Sequence, residues 1–378
     1  MKVNIIGTIF GMSGYDRHTR ELANACNEIG LDVRLDVPKI PQWERYCNDF
    51  EFKSIEKPFD PEATTIMISQ PQTWRFGLAQ KPSRFYGFLV WEGSHIPAYW
   101  IPYLMDERVN FICVPSNHTK LSIINTCADW SIINSKSDEH LKIIEKIVII
   151  PHGFNSKIFY PDRKEKWKPF EDTFVMTANK GFSQGLYDRG GLQFLFQAFN
   201  EEFSNKDNIE LRVHINPVYN NPAWNIDEEL KKIGLEKRED RPKILVTTDL
   251  LDENALRRFY NEGNVFVSTS MADGFDLPCI EAMACGLPCL VTANNGHCDF
   301  VNEDNGWIIE EGEFVNWSKE IIYEETKWFK PDVTSIRRHL RFLFENQNSI
   351  QRMADKALED VKNWTWKCSA EKLRRLLE

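Results

Sequence analysis

Asp273 and Glu281 lie eight positions apart in the stretch Ser268–Glu281, which reads S-T-S-M-A-D-G-F-D-L-P-C-I-E. It follows the apolar run Asn264-Val265-Phe266-Val267 and leads into Ala282-Met283-Ala284-Cys285-Gly286-Leu287-Pro288. The pattern predicts a strand, a Gly-containing turn, a short helix with Pro278 in its first turn, and a Gly-Pro stop. Gly274 leaves backbone amides open to a ligand, and the helix N-terminus favours an anion. One acid on the loop and one on the helix suits recognition of hydroxyls around a diphosphate. Upstream, Lys180 and Arg189 flank the Gly-rich loop Ala178–Gly191. Arg can grip phosphate bidentately, although spacing alone describes solvated surface cations at least as well.

These residues need elements to hold them, and the order of elements is α/β. Lys2–Phe10 reads as a strand, Gly11-Met12-Ser13-Gly14-Tyr15 as a turn, a helix follows from about Asp16, and Asp32–Val37 returns as a strand. This βαβ unit opens a parallel sheet. The turn is not G-x-G-x-x-G, so Gly11 and Gly14 fit a plain βα turn as well as a ligand-facing loop. Further strands are expected at Thr64–Ser69, Arg84–Trp91, Asn110–Val114 and Ile147–Ile150. Residues just past the C-terminal ends of parallel strands face a ligand crevice, which places Glu92, Ser94, His95 and Ser116 there. His95 is equally readable as a hydrogen-bonded loop histidine. Polar, basic Pro161–Pro169 is read as the linker to a second α/β domain. That domain has strands at Phe174–Thr177, Glu210–Ile215, Lys243–Thr247 and Pro288–Thr292, and helices at Leu192–Phe203 and Glu253–Tyr260. From about Asn316 the chain reads as helical and charged, with a final helix Ser369–Leu377.

A chain of 378 residues is long for one core, so two domains are expected. With 42% hydrophobic and 27% charged residues it reads as soluble and globular. The net charge of −10 argues against binding of nucleic-acid backbone as its main role. No apolar run approaches the roughly 20 residues of a membrane span, and a peripheral membrane contact stays open. Nine cysteines without a C-x-x-C pattern predict free thiols and a cytoplasmic setting. Cys279, Cys285, Cys289, Cys298 and His297 have spacings that match no common zinc site. No D-x-D pair is present, so a bound diphosphate would be neutralised by protein groups, with no metal or other cofactor expected.

Together these motifs resemble glycosyltransferase family 4, retaining nucleotide-sugar enzymes of the GT-B fold. Trp91-Glu92 to Val114-Pro115-Ser116 is similar to the family's W-E…V-P-S segment, and Ile149-Ile150-Pro151-His152-Gly153-Phe154-Asn155 to its I-P-H-G exit. Arg189-Gly190-Gly191 with Ala198-Phe199 resembles R/K-K-G…A-F. Asp273-Gly274-Phe275-Asp276-Leu277-Pro278 through Glu281 to Pro288 resembles E-G-F-G-L-P…E-A-M-A-C-G-x-P. Asp273 stands where the family has Glu, and Asp276 where it commonly has Gly. The resemblance implies two Rossmann-like doubly wound domains facing across a cleft, residues 1–165 for the acceptor and 166–359 for the donor. A C-terminal helix at about 360–378 would return to the first domain. It further implies donor contacts at Arg189, Lys180, Gly274, Phe275, Asp276, Leu277 and Glu281, with Glu281 on the ribose hydroxyls and the base near Thr247–Leu251. Asp273 and His95 would serve the reacting centre, and Gly14, Tyr15 and Glu92 the acceptor. The implied reaction moves a sugar from a nucleotide-diphosphate sugar to a glycan, lipid-linked or small-molecule hydroxyl. A non-catalytic nucleotide-sugar or glycan-binding protein, and an epimerase or phosphorylase of the same architecture, are the alternatives.

Overall fold

The computed structural model describes residues 1–38, 57–134, 139–162, 167–182, 184–217, 225–232 and 239–378. The chain divides into two compact units, Met1–Gly153 with Trp364–Glu378, and Phe154–Asn363.

The first unit runs β1 (Lys2–Ile6), α1 (Gly14–Glu28), β2 (Asp32–Asp36), β3 (Thr64–Ile68), α2 (Trp74–Leu78), β4 (Phe85–Phe88), α3 (Ile101–Met105), β5 (Val109–Val114), α4 (Asn117–Asn134), α5 (Glu139–Glu145) and β6 (Ile147–Ile149). Its parallel sheet has the order β2-β1-β3-β4-β5-β6. Strands β3 and β4 are buried at every position, as expected where helices cover both faces. Strand β1 stops at Ile6, short of the Phe10 its apolar pattern suggested. Beyond it, buried Arg20 donates to the Ile9 and Gly11 carbonyls, both at 2.6 Å, and draws the chain into a loop. Helix α1 begins two residues before Asp16, because Ser13 and Asp16 form a reciprocal cap that satisfies orphan amides. The terminal helix Trp366–Leu377, capped by Thr365, packs on α1, and its last carbonyls at Leu376 and Leu377 accept from Tyr86 and Arg84.

In the second unit the order is β7 (Phe174–Lys180), α6 (Leu192–Glu202), β8 (Ile209–Ile215), α7 (Ile226–Lys232), β9 (Lys243–Thr247), α8 (Glu253–Asn261), β10 (Val265–Ser268), α9 (Leu277–Ala284), β11 (Cys289–Thr292) and β12 (Gly306–Ile309). The sheet is parallel, ordered β12-β11-β10-β7-β8-β9. Leu192, Leu195, Phe196 and Phe199, the apolar face read from the sequence, are buried in its core with Met176, Val213 and Val267. A hairpin follows, β13 (Gly312–Val315) with β14 (Trp328–Pro331), then α10 (Val333–Glu345) and α11 (Ile350–Asp360). The region after Asn316 is thus not wholly helical: Phe329 pairs with Phe314, and Trp328 is buried. Residues from Phe154 onward already belong to this unit. Phe159 packs on Tyr260, Asp162 accepts an ion pair from Arg257, and the Asp162 amide donates to Asn261. Of the stretch read as a linker, residues 163–166 lie outside the described residues.

Gly191, the residue before α6, has a φ of +74°, and a Cβ there would lie 1.8 Å from the Thr269 carbonyl oxygen. Gly191→Ala combines left-handed strain with backbone overlap and is expected to cost about 2 kcal/mol or more. Its denaturant midpoint should fall with the slope unchanged, and a wild-type midpoint would contradict this close approach.

Candidate active site

Sheet order reverses in the second unit between β7 and β10, the switch point at which open parallel sheets bind ligands beyond their carboxyl ends. Lys180 ends one of these strands and Ser268 the other. Three loops interlock there. The Met271 amide donates to the Arg189 carbonyl at 2.8 Å, and the Thr269 hydroxyl to the Gly191 carbonyl at 2.9 Å. The Asp273 amide donates to Asn295 Oδ1 at 2.7 Å, Asn295 Nδ2 donates to the Ser270 carbonyl, and the Gly296 amide donates to the Asp273 carbonyl. A Cβ on Gly296 would sit 2.2 Å from the Gly274 carbonyl oxygen. Nothing among the sequence neighbours of Asn295 announces this cross-loop bond.

The charges at this point are dense. Lys180, only 7% exposed, places Nζ 3.1 Å from Asp273 Oδ2 and 2.7 Å from Asp276 Oδ1. Burial opposes its charge, but Asp276 and Asp273 outweigh burial and raise its pKa. It is therefore not a solvated surface cation. Asp273 Oδ1 accepts from the Phe275 and Asp276 amides at 3.2 and 2.8 Å, so its carboxylate shapes its own turn. Asp276 adopts φ +72° as the N-cap of α9, and its Oδ2 accepts from Ser268 Oγ at 2.6 Å and faces His297 Nδ1 at 3.0 Å. His297 Nε2 lies 2.6 Å from the Thr292 carbonyl, which can only accept. Burial resists protonation of His297, but the hydrogen bond to Asp276, with Cys298 beside it, raises its pKa to about 10. Burial likewise resists ionisation of Asp276, yet Lys180 and His297 hold its carboxyl well below the usual range. His297, grouped in the sequence with cysteines whose spacings match no common zinc site, is buried against the Asp276 carboxylate, which favours its protonated form.

A pH dependence follows. His297 has a folded pKa above its unfolded value of about 6.5, so its contribution is complete below that pH and fades as pH rises toward about 10. The depressed pKa of Asp276 gives a contribution complete above about 3.9 and lost in acid. Between pH 6.5 and 10 the wild-type Tm should fall more than that of His297→Asn, and parallel curves would exclude a charged His297.

Glu281 lies on α9, 1% exposed, and accepts from the Tyr260 hydroxyl at 3.2 Å. Phe275 is buried against Phe300, Leu277 opens α9 at the edge of burial, and Gly274 is buried. Arg189 is half-buried, with Nη1 donating to the Ala272 carbonyl at 2.8 Å. Arg189, Lys180, Asp273, Asp276 and the start of α9 are thus brought together. In the first unit, Gly14 opens α1 with nothing within 4 Å of a would-be Cβ, and the Tyr15 hydroxyl donates to the Val90 carbonyl at 3.1 Å. Residues 91–96 are stitched to α4, an element the sequence reading did not contain. Ser122, Asn125 and Thr126 donate to the carbonyls of Gly93, Ser94 and Ile96, and the Glu92 carbonyl meets His118 Nε2 at 2.7 Å. His95 is held through Nδ1 at 2.9 Å from Ser94 Oγ and Nε2 at 3.4 Å from Asp129 Oδ2. The eight described cysteines are free thiols.

Two parallel Rossmann-like sheets in one chain, the second with an acid-bearing loop and helix at its switch point, define the GT-B class of fold. Residues 181–323 match the family described as Glycosyl transferases group 1, a family of enzymes. A probable sucrose-phosphate synthase of Thermosipho melanesiensis is 28% identical over 252 residues, covering 65% of this chain and 50% of its own, so the chain spans about half the length of that relative. The fold matches sucrose-phosphate synthase from Thermosynechococcus elongatus with a TM-score of 0.68 and 15% identity, covering 100% of this chain and 98% of that one. It also matches Anabaena HepE in complex with UDP-glucose, with a TM-score of 0.63 and 11% identity over 100% and 99% of the two chains. No helix among the described residues is long and apolar enough to cross a membrane.

Proposed function

We propose that this protein is a retaining glycosyltransferase, moving a hexosyl or related glycosyl group from a nucleotide-diphosphate sugar to an acceptor hydroxyl without a metal. The observation that carries this reading is that the family match at 181–323 encloses Arg189, Asp273–Leu277 and Glu281, most of the side chains gathered at the switch point. UDP-glucose, the ligand in the HepE structure, is the first donor to try.

In this reading Glu281 accepts from two ribose hydroxyls, as a carboxylate can. Arg189 and the N-terminus of α9 take the diphosphate. Asp273, with Oδ2 3.1 Å from Lys180 Nζ, faces the positive charge that develops on the sugar. The acceptor rests on Gly14, Tyr15 and Glu92, with His95 assigned to its hydroxyl. The departing phosphate takes the acceptor proton on the same face of the sugar, so no side-chain nucleophile is required. Positive groups at the leaving diphosphate then supply most of the barrier lowering. Metal independence is supported by the sequence, which has no D-x-D pair.

The test is release of free nucleoside diphosphate from a nucleotide-sugar panel, with an acceptor panel and with or without chelator. Acceptor-dependent release that survives chelation supports the proposal. An isomerised nucleotide sugar would instead indicate an epimerase, and binding without turnover a non-catalytic protein.

A further inference from the structure

Glu281 does not stand alone. Its Oε2 receives the Tyr260 hydroxyl at 3.2 Å, and the Tyr260 oxygen in turn accepts from Asn179 Nδ2 at 2.8 Å. Asn179 Oδ1 faces His214 Nδ1 at 2.9 Å, and His214 Nε2 meets the Asp249 carbonyl at 3.0 Å. All four side chains are at least nine-tenths buried: Glu281 1%, Tyr260 0%, Asn179 6% and His214 3% exposed. They come from separate elements. Asn179 and His214 are register partners on β7 and β8, Tyr260 is on α8, Glu281 on α9, and Asp249 follows β9. Four buried polar side chains in series have no role in packing that four apolar ones would not fill, and leaving any one unmatched is costly.

Direction in the series is fixed from its far end. The Asp249 carbonyl can only accept, so Nε2 of His214 carries a proton. With Asn179 Nδ2 given to Tyr260, its Oδ1 can only accept, so Nδ1 of His214 must donate as well, and the series is complete when both ring nitrogens are protonated, against the burial that lowers the His214 pKa. Tyr260 has one proton to give and gives it to Glu281, which removes one of the ways that carboxylate could turn. Phe159 and Phe266 pack on the Tyr260 ring and leave it little room to swing.

We propose that Tyr260, Asn179 and His214 form a buried relay that positions the Glu281 carboxylate for a ribose diol and ties it to the backbone at Asp249. The proposal rests on the assignment of Glu281 to the donor ribose. Tyr260 is a positioning residue here, acting through Glu281, and the relay is a device for ribose specificity. It also joins the two segments expected to meet the nucleoside, Glu281 under the sugar and Thr247–Leu251 near the base.

The experiment is calorimetric binding of UDP and 2′-deoxy-UDP to the full chain and to Tyr260→Phe, with the guanosine and adenosine pairs as further probes. Wild type is expected to prefer the ribonucleotide by roughly tenfold or more, the worth of a hydrogen bond to a charged group. Tyr260→Phe should lose most of that preference, while its affinity for the 2′-deoxy form changes less than about twofold, because contacts away from the diol are untouched. A merely structural role for Tyr260 would weaken both ligands alike. Should Tyr260→Phe fail to fold, His214→Phe reads the same ratio from the other end. A wild type that discriminates and a Tyr260→Phe variant that discriminates equally would overturn the relay alone. A wild type that binds both forms equally would also overturn the relay, with nucleotide binding intact. A wild type that binds none of the nucleotides would overturn the glycosyltransferase reading and the relay together.

Discussion

Lys180→Met is expected to destabilise the second unit by about 3–5 kcal/mol, because it takes a cation from the buried Asp276 carboxylate and from the partly exposed Asp273. Nζ of Lys180 lies within 3.1 Å of both Asp273 and Asp276, and its side chain is 5% exposed. Met fills nearly the same volume, so the loss is electrostatic and no cavity contributes. Asp276 keeps His297, Ser268 Oγ and the Cys279 amide. Asp273 keeps only the amides of its own turn among the partners described above. The turn that carries Gly274 and Phe275 should therefore loosen first. Thermal or denaturant unfolding checks the magnitude, and a Tm within about 2 °C of wild type, no more than about 1 kcal/mol for a unit of this size, would show that the ion pairs are weak.

Asp276 makes the point sharper. Its φ of +72° suits glycine and costs an Asp roughly 1 kcal/mol, so its presence has to be offset by what the carboxylate does. Here it caps α9 and sits between two cations. Asp276→Gly relieves the backbone but strands a charged His297 and half of the Lys180 pairing. The double variant Lys180→Met with Asp276→Gly removes one charge of each sign. It should lose less than the sum of the singles by about 1–3 kcal/mol, the coupling expected of residues in one network.

Much of the second unit was legible because its signals are local. The β-like run, Gly274, Pro278 and the Gly286-Leu287-Pro288 stop give β10, the turn and α9 within a residue or two. Leu192, Leu195, Phe196 and Phe199 gave the buried face of α6 by spacing alone. Helix α4 was not legible, since apolar residues such as Ile123 and Cys127 are mixed with Ser122 and Thr126, which are buried because they bond the 91–96 loop. Long-range polar pairing was equally hidden. Lys180 and Asp276 are 96 positions apart in the chain and Asn179 and Tyr260 81, and no local pattern links them. The sequence could place Lys180 and Asp276 on facing loops, but only the switch-point topology makes them neighbours. Strand β14 shows the reverse problem, where a charged context masked the short run Trp328–Pro331.

Glu281→Ala should lower kcat/KM for the nucleotide-sugar donor by about 100-fold or more. Two hydrogen bonds to a carboxylate, each worth about 1.5–3 kcal/mol, set that scale. Because the ribose is remote from the reacting carbon, part of the loss should appear in KM and part in kcat, as binding energy there helps hold the sugar in place. Glu281→Gln separates charge from shape. It keeps the volume and one acceptor for Tyr260 but cannot accept twice from a diol without its second oxygen, so a loss of about tenfold is expected. The fold should survive both changes, since α9 is also anchored by Asp276, Cys279 and Ile280. Donor kinetics at wild-type level in a folded Glu281→Ala protein would remove Glu281 from the donor site. Such a result would leave Asp273, the other acid of the pair, as a turn-shaping residue beside Lys180 with no partner in ligand recognition.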